Sequence, residues 1–359
     1  MILLCYDEPV APQLQTDEIF WRDIQPWLEQ RGYMLRPRYR PDWKPSFTLK
    51  DDRFDFEDGY ASCRLRISTG EFVMLKRVSQ VVHPFEVELT RYFSEESVRS
   101  DPRNHCVPLL EVLENAPDHP DLNILVFPFL REFKNPRFRT VGEALEFFRQ
   151  IFEGLDFMHQ CHIAHRDCVR LNIMMDPKPV YPKMYHPRVI NYDVDFKSSA
   201  KYYSRTARPV KYYLIDFGLS RRYDASNPSP REYPIIGGDK TVPEYQNWKE
   251  PLDPFPTDVY YIGNVVGVDF LSPYRELEFM QPLINDMTQT DPSKRPTIEE
   301  VVNRFSEIYH NLPKSTLRSR LVRKQESKQG YTVWMRNFKH SFTTLIHILL
   351  RRNPMPTPS

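Results

Sequence analysis

At 359 residues the chain is long enough to bury one large core or two lobes. A hydrophobic fraction of 40% and a charged fraction of 27% are those of a globular protein, and a formal net charge of +1 excludes nucleic-acid binding through overall basicity, so no nucleic-acid partner is expected. The five cysteines are odd in number, widely spaced and without a C-x-x-C, which excludes a disulfide framework or zinc cluster and predicts free thiols.

Residues 1–5 are too short and lack the basic leader of a signal peptide. No apolar run reaches the ~18 residues needed to span a bilayer. A cytoplasmic or nuclear location is therefore expected. Glycine is scarce (11) and proline abundant (33), which predicts rigid loops and few phosphate-cradling ones.

Residues 1–50 read as an N-terminal extension. Residues 16–25 predict one or two helical turns with Ile19, Phe20 and Ile24 on one side, interrupted by Pro26. The prolines of 36–45 exclude a helix or central strand and predict an extended strap packed on a lobe; a peptide-like docking site is the other reading.

A strand pattern starts near Phe54. Cys63, Leu65 and Ile67 alternate, Ser68-Thr69-Gly70 turns, and 72–78 returns as a strand carrying Lys76 in an apolar setting. Residues 84–93 predict a short helix with Glu86 and Glu88. A strand lysine followed by a helical glutamate allows an ion pair that holds the lysine toward a nucleotide's α- and β-phosphates. Strands are predicted at 107–113 and 122–130, ending in Phe127-Pro128-Phe129-Leu130 as a connector. This is a five-stranded sheet with one helix, a small lobe of its own.

Beyond the connector the pattern is helical. Leu145, Phe148, Ile151, Phe152, Leu155 and Met158 recur at helical spacing and predict a buried stripe. That helix leads to His165-Arg166-Asp167 and, five positions after the aspartate, Asn172. Phosphoryl transfer needs such a pair: a carboxylate to take a hydroxyl's proton and an amide oxygen to hold a metal. Residues 176–211, rich in Tyr, Pro, Lys and Ser, form an insert that is either a disordered loop or a surface flap. A strand at 212–215 then runs directly into Asp216-Phe217-Gly218, followed in order by Pro243-Glu244, Asp258 and Arg295. The last of these helices starts at Pro296, with Ile298, Val301, Val302, Phe305 and Ile308 on its face. From 313 to 359 the chain becomes a basic tail, ten Lys or Arg against the single acid Glu326, with Val333, Trp334, Phe338, Leu345, Ile346, Leu349 and Leu350 available to one face of an amphipathic helix. That helix meets a membrane interface, a partner, or the core; the membrane reading is the weakest because the pattern is broken by two Thr and two His.

On these residues the chain resembles the eukaryotic-type protein kinases. His165-Arg166-Asp167 with Asn172 matches the family's catalytic loop, Asp216-Phe217-Gly218 its metal-binding turn, Pro243-Glu244 the end of its activation segment, and Lys76 its strand lysine. Asp258 matches the aspartate that braces the catalytic loop, and Arg295 the arginine that pairs with Glu244. The run at 31–41 resembles the leader of a set of fungal kinase-like proteins. The resemblance implies an α+β, bilobal fold: a domain over 51–312, with a β-rich N-lobe at about 51–130 and a larger helical C-lobe at about 131–312. It implies ATP and Mg²⁺ as ligands, Asp167 as base, and Asn172 and Asp216 as metal ligands. Lys76 would anchor phosphates with Glu88 as its partner, Glu86 being the alternative, and Phe127, Phe129 and Leu130 would lie along the adenine-binding connector.

The implied activity is transfer of the ATP γ-phosphate to a protein hydroxyl, Ser or Thr ahead of Tyr. Three departures support an alternative, a pseudokinase acting as a binding module. One glycine, Gly59, stands in 58–63 where the family has three; Val169 replaces the catalytic-loop lysine, with Arg170 beside it as a substitute charge; and no threonine precedes Pro243 at the family's distance. A small-molecule phosphotransferase is the third reading, opposed by Glu244, Asp258 and Arg295. The protein substrate and the oligomeric state carry no sequence signal.

Overall fold

The computed structural model describes residues 14, 16–36, 39–40, 63–187, 189–195, 197–227, 229–235, 237–247, 249–327 and 330–358. The strand start at Phe54, the loop 58–62 and much of the 36–45 strap lie outside the described residues. The chain divides into two compact units, one built from Met1–Ser94, Val107–Leu130 and Lys183–Lys201, the other from Glu95–Cys106, Arg131–Pro182 and Tyr202–Ser359. Together they give the α+β class: a five-stranded antiparallel sheet in the first and a mostly helical second.

The first unit holds α1 (Thr16–Asp23), α2 (Gln25–Gln30), β1 (Tyr33–Met34), β2 (Cys63–Arg66), β3 (Glu71–Ser79), α3 (Glu86–Ser94), β4 (Glu111–Leu113) and β5 (Leu122–Pro128). The sheet order is β1-β2-β3-β5-β4, and every neighbouring pair is antiparallel. The β2–β3 hairpin turns through Gly70, whose φ of +67° suits a residue without Cβ. Pro26 does not end a helix; it sits in the first turn of α2, where a missing N–H costs nothing. Phe20, Trp21, Ile24 and Leu28 pack with Val73, Leu75, Ile124 and Val126 into one core, and each such buried side chain contributes about 1.5–3 kcal/mol. The N-terminal segment is thus a structural layer of the sheet, including its edge strand.

The second unit adds α4 (Glu96–Arg99), β6 (Arg131–Glu132), α5 (Val141–Gln160), β7 (Ile163–Ala164), β8 (Ile173–Met175), β9 (Tyr212–Leu214), β10 (Arg221–Arg222), α6 (Pro254–Val266), α7 (Gln281–Met287), α8 (Ile298–His310), α9 (Lys314–Arg318) and α10 (Tyr331–Leu349). The apolar stripe of α5 is fully buried, and its buried polar residues are matched. Glu143 accepts from the Arg139 and Thr206 N–H groups and from Thr206 Oγ1, while Gln150 donates to Val210 O and accepts from Tyr212 N–H. Of these partners, Thr206 and Val210 come from the end of the 176–211 insert. Arg205 of the same insert is 2% exposed, donates to Phe133 O and Pro136 O at 2.7 Å, and stacks 4.1 Å above the Phe138 ring. That stretch is therefore a buried plug on α5, with no regular secondary structure of its own.

Candidate active site

The loop between β7 and β8 is shaped from behind by Asp258 of α6. This carboxylate is 0% exposed and accepts from the His165 and Arg166 N–H groups, both at 2.7 Å. Arg166 takes φ +67°, a left-handed conformation that a side-chain-bearing residue holds only when its surroundings over-determine it. His165 Nε2 lies 3.2 Å from Ile215 O, its ring 5.6 Å from that of Phe217, and Ser220 Oγ donates to His165 O. The loop is thereby locked to the turn that follows β9.

Asp167 emerges from this frame with both oxygens occupied. Asn172 Nδ2 donates to Asp167 O and Oδ2, each at 2.8 Å, and Gly238 N–H donates to Oδ1 at 2.7 Å. Burial pushes the Asp167 carboxyl above the usual carboxylate range; the Gly238 bond, His165 and the Asn172 bond oppose the rise, and the nearby Asp216 charge adds to it. Gly237 explains how the segment comes so close: a Cβ there would stand 2.6 Å from Asp167 Oδ1.

Asp216 caps the short turn Phe217–Leu219 at φ +67°, and Ile215 N–H donates to Asn172 O at 2.9 Å, which sets Asp216 beside Asn172 in the β8–β9 pairing. Asn172 turns its N–H₂ end to Asp167, leaving Oδ1 as an acceptor with no protein donor among the described residues. A neutral amide oxygen beside a carboxylate is a hard-oxygen pair of the kind Mg²⁺ takes, so these residues fit the ion.

In the first unit, Lys76 pairs with Glu86, not with Glu88. The reason is helical phase. Glu86, Leu89, Thr90 and Phe93 form the buried face of α3, and Glu88 falls on the exposed side. Phe127, Phe129 and Leu130 are all buried at the end of β5, where Phe127 pairs with Met74, and Phe129 meets the rings of Phe72 at 5.9 Å and Tyr185 at 5.7 Å.

Arg295 and Glu244 form a bidentate ion pair at 2.6 and 2.9 Å with side chains 0% and 2% exposed, as the resemblance implies. Arg170 stands 3.9 Å from both Glu132 and Asp269, so its charge is engaged there.

No protein-family model matches the chain. Among curated proteins it is similar to the serine/threonine-protein kinase SAPK3 of Oryza sativa subsp. indica, 29% identical over 177 residues, 48% of this chain and 50% of that one. It is also similar to the serine/threonine-protein kinase CAK1 of Saccharomyces cerevisiae, 30% identical over 203 residues, 46% of this chain and 43% of that one. Smooth-muscle myosin light chain kinase of Gallus gallus is 26% identical over 186 residues, 51% of this chain and 8% of its own length.

This chain is a relative of the eukaryotic-type protein kinases. It spans about half the length of the rice and yeast kinases it matches. Three features around its kinase-like loop escaped sequence reasoning. Glu232 bridges Arg166 at 3.0 Å and Arg221 at 2.6 Å. The Gly237-Gly238 pair lies over Asp167 and Val169. Tyr245 Oη accepts from Gly237 N–H at 2.8 Å and bonds Tyr261, fixing that turn. The paired glycines were the one visible signal, since close backbone approach to a side chain demands them.

Proposed function

We propose that this chain is a protein kinase that transfers the γ-phosphoryl group of ATP to a hydroxyl of a protein substrate. Serine or threonine is favoured over tyrosine, because two of the curated relatives are named serine/threonine-protein kinases. The observation that carries the reading is the Asp167–Asn172 pair, bonded at 2.8 Å and held from behind by the buried Asp258. Asp167 orients the substrate hydroxyl and takes its proton as the new O–P bond forms and ADP departs with the electrons of the old one. Asn172 Oδ1 and the Asp216 carboxylate would hold Mg²⁺. When bound, the ion neutralises charge on the β- and γ-phosphate oxygens. Lys76, kept in place by Glu86, is a point charge for the α- and β-phosphates. The connector at Phe127, Phe129 and Leu130 offers its backbone to adenine.

A binding module without turnover is the second reading, favoured by the donors already engaging both oxygens of Asp167 and by Val169, which is 7% exposed beneath Gly238. The two separate in one experiment: melting temperature with ATP and Mg²⁺, then phosphate transfer to a generic peptide. A kinase shows a nucleotide-dependent rise, with transfer lowered roughly 10²–10⁴-fold in Asp167→Asn and lost in Lys76→Met. Melting indifferent to millimolar ATP sinks the kinase and leaves the binding module.

A further inference from the structure

Away from the Asp167 loop, the second unit contains a cavity of about 600 Å³, a size typical of small-molecule sites. Its walls come from five stretches separated in the sequence: the entry to α5, the end of the insert at Ser204 and Thr206, Tyr274, the segment 320–326, and α10. Six cationic side chains line it: Arg137, Arg139, Arg320, Arg323, Arg336 and Lys339. Only two carboxylates face them, Glu143 and Glu326, so the formal excess is four positive charges with the histidines neutral.

Both carboxylates are committed. Glu326 is held by Arg320 at 2.6 Å, with Arg336 at 3.7 Å, and Glu143 accepts from the Arg139 and Thr206 N–H groups. Among the described residues Arg137, Arg323 and Lys339 have no carboxylate within ion-pair distance, and Arg139 only stacks 5.6 Å from the Tyr202 ring. Two histidines of α10 complete the lining. Burial keeps His340 and His347 below the ordinary imidazole range, with the positive charges of Arg320 and Arg352 respectively acting in the same direction. They enter the cavity as neutral hydrogen-bonding groups.

An arrangement in which like charges converge on one concave space is self-repelling, and a bound anion relieves that repulsion. Guanidinium forks around a space this size suit planar, bidentate phosphate recognition more than a single halide or carboxylate. The hydroxyls of Thr140, Ser204, Thr206, Thr343 and Thr344 add neutral donors around the charges.

We propose that this cavity binds a small molecule carrying several phosphates, of the size and charge of an inositol polyphosphate. The same headgroup has two sources, free in solution or displayed on a lipid. The second is open because α10 turns its polar side to the cavity and leaves Trp334, Phe338, Phe342 and Leu345 exposed at 53–59%. The proposal is independent of whether the chain is an active kinase. Bound, the polyanion ties α10 to the entry of α5, so the ligand stabilises the docked tail.

Titration calorimetry on the full chain tests this with inositol hexakisphosphate, with inorganic phosphate at matched ionic strength, and with phosphatidylcholine vesicles with and without phosphatidylinositol 4,5-bisphosphate. The expected result is saturable one-to-one binding of the hexakisphosphate, at least tenfold tighter than inorganic phosphate. It weakens at least tenfold in Arg137→Glu/Arg323→Glu and is unchanged in Arg99→Glu, an exposed cation outside the cavity. Arg137→Gln/Lys339→Gln repeats the test with a milder change, and its circular dichroism confirms folding. Vesicle binding that needs both the bisphosphate lipid and the cavity arginines assigns the lipid source; soluble binding alone assigns the free one. No saturable binding, or equal weakening by Arg99→Glu, overturns the proposal. So does vesicle binding that survives the cavity variants and disappears in Trp334→Ser/Phe338→Ser.

Discussion

Asp167 lies at the balance of two opposing demands. Burial raises its proton affinity, and the Gly238 N–H pulls it back. The proposed base must be ionised to act, so the proposed activity is expected above the folded-state value and is lost as pH falls through it. Because that value is raised, the acid limb of kcat/KM is expected above the ordinary aspartate range. Gly237→Ala sharpens the test. Its new Cβ would press on Asp167 Oδ1 and displace the turn that carries Gly238 N–H, removing an interaction that favours the carboxylate. The limb should then move further toward neutral pH, and a limb that stays put or moves to lower pH would refute this role for Gly238. The same scale decides Lys76. Glu86 and Glu88 differ by two positions, and only their phase on α3 puts one under the sheet.

Within the segment 221–235, Glu232 is the acidic side chain that joins two arginines. Glu232 is reached by Arg166 and Arg221 and is also paired through its backbone with Leu252. The two arginines sit on different elements, the β7–β8 loop and β10, so Glu232 ties the segment to both. Glu232→Ala leaves two guanidinium groups facing each other and is expected to make local opening easier by about 1–3 kcal/mol. Amide hydrogen exchange over 221–235 reads this directly: faster exchange there, with α5 unchanged, is the expected outcome. Exchange identical to the parent chain would show that the segment is held elsewhere. A phosphate added nearby would have to compete with a carboxylate already in place.

For the chain as a whole, the tail and the two ends of the insert are parts of the helical unit, while Lys183–Lys201 belongs to the sheet-bearing one. Met355 is 3% exposed, Arg318 donates to Arg352 O at 2.8 Å, and Thr357 Oγ1 reaches Glu146. The fit is close at Gly142 of α5, where a Cβ would stand 1.9 Å from Pro354 O. Gly142→Ala should therefore lift the C-terminal residues off α5, although alanine favours the helix itself by about 1 kcal/mol. Limited trypsin digestion checks this at Arg351 and Arg352, where cleavage is expected to accelerate; an unaltered rate would mean the tail shifts without detaching. Among the described residues no helix is long and apolar enough to cross a membrane.

What could be read from the chain alone was whatever depends on order and local period. The strand alternation around Lys76, the buried stripe of α5, and the ordered set Asp167, Asn172, Asp216, Glu244, Asp258 and Arg295 are one-dimensional signals, and each lies where its spacing requires. Contacts between distant segments of low periodicity were not legible. Tyr33 and Met34 as an edge strand, Arg205 buried at Phe138, Glu232 on Arg166 and Gly238 over Asp167 join residues 31 to 71 positions apart. No local pattern encodes them, because their energy arises only when desolvated charges and backbone donors meet in three dimensions. The sequence by itself determined the kinase-like order of motifs on which the proposed phosphoryl transfer rests. Tertiary structure alone decided which glutamate holds Lys76, what covers Asp167, and that six cations from scattered segments line one cavity.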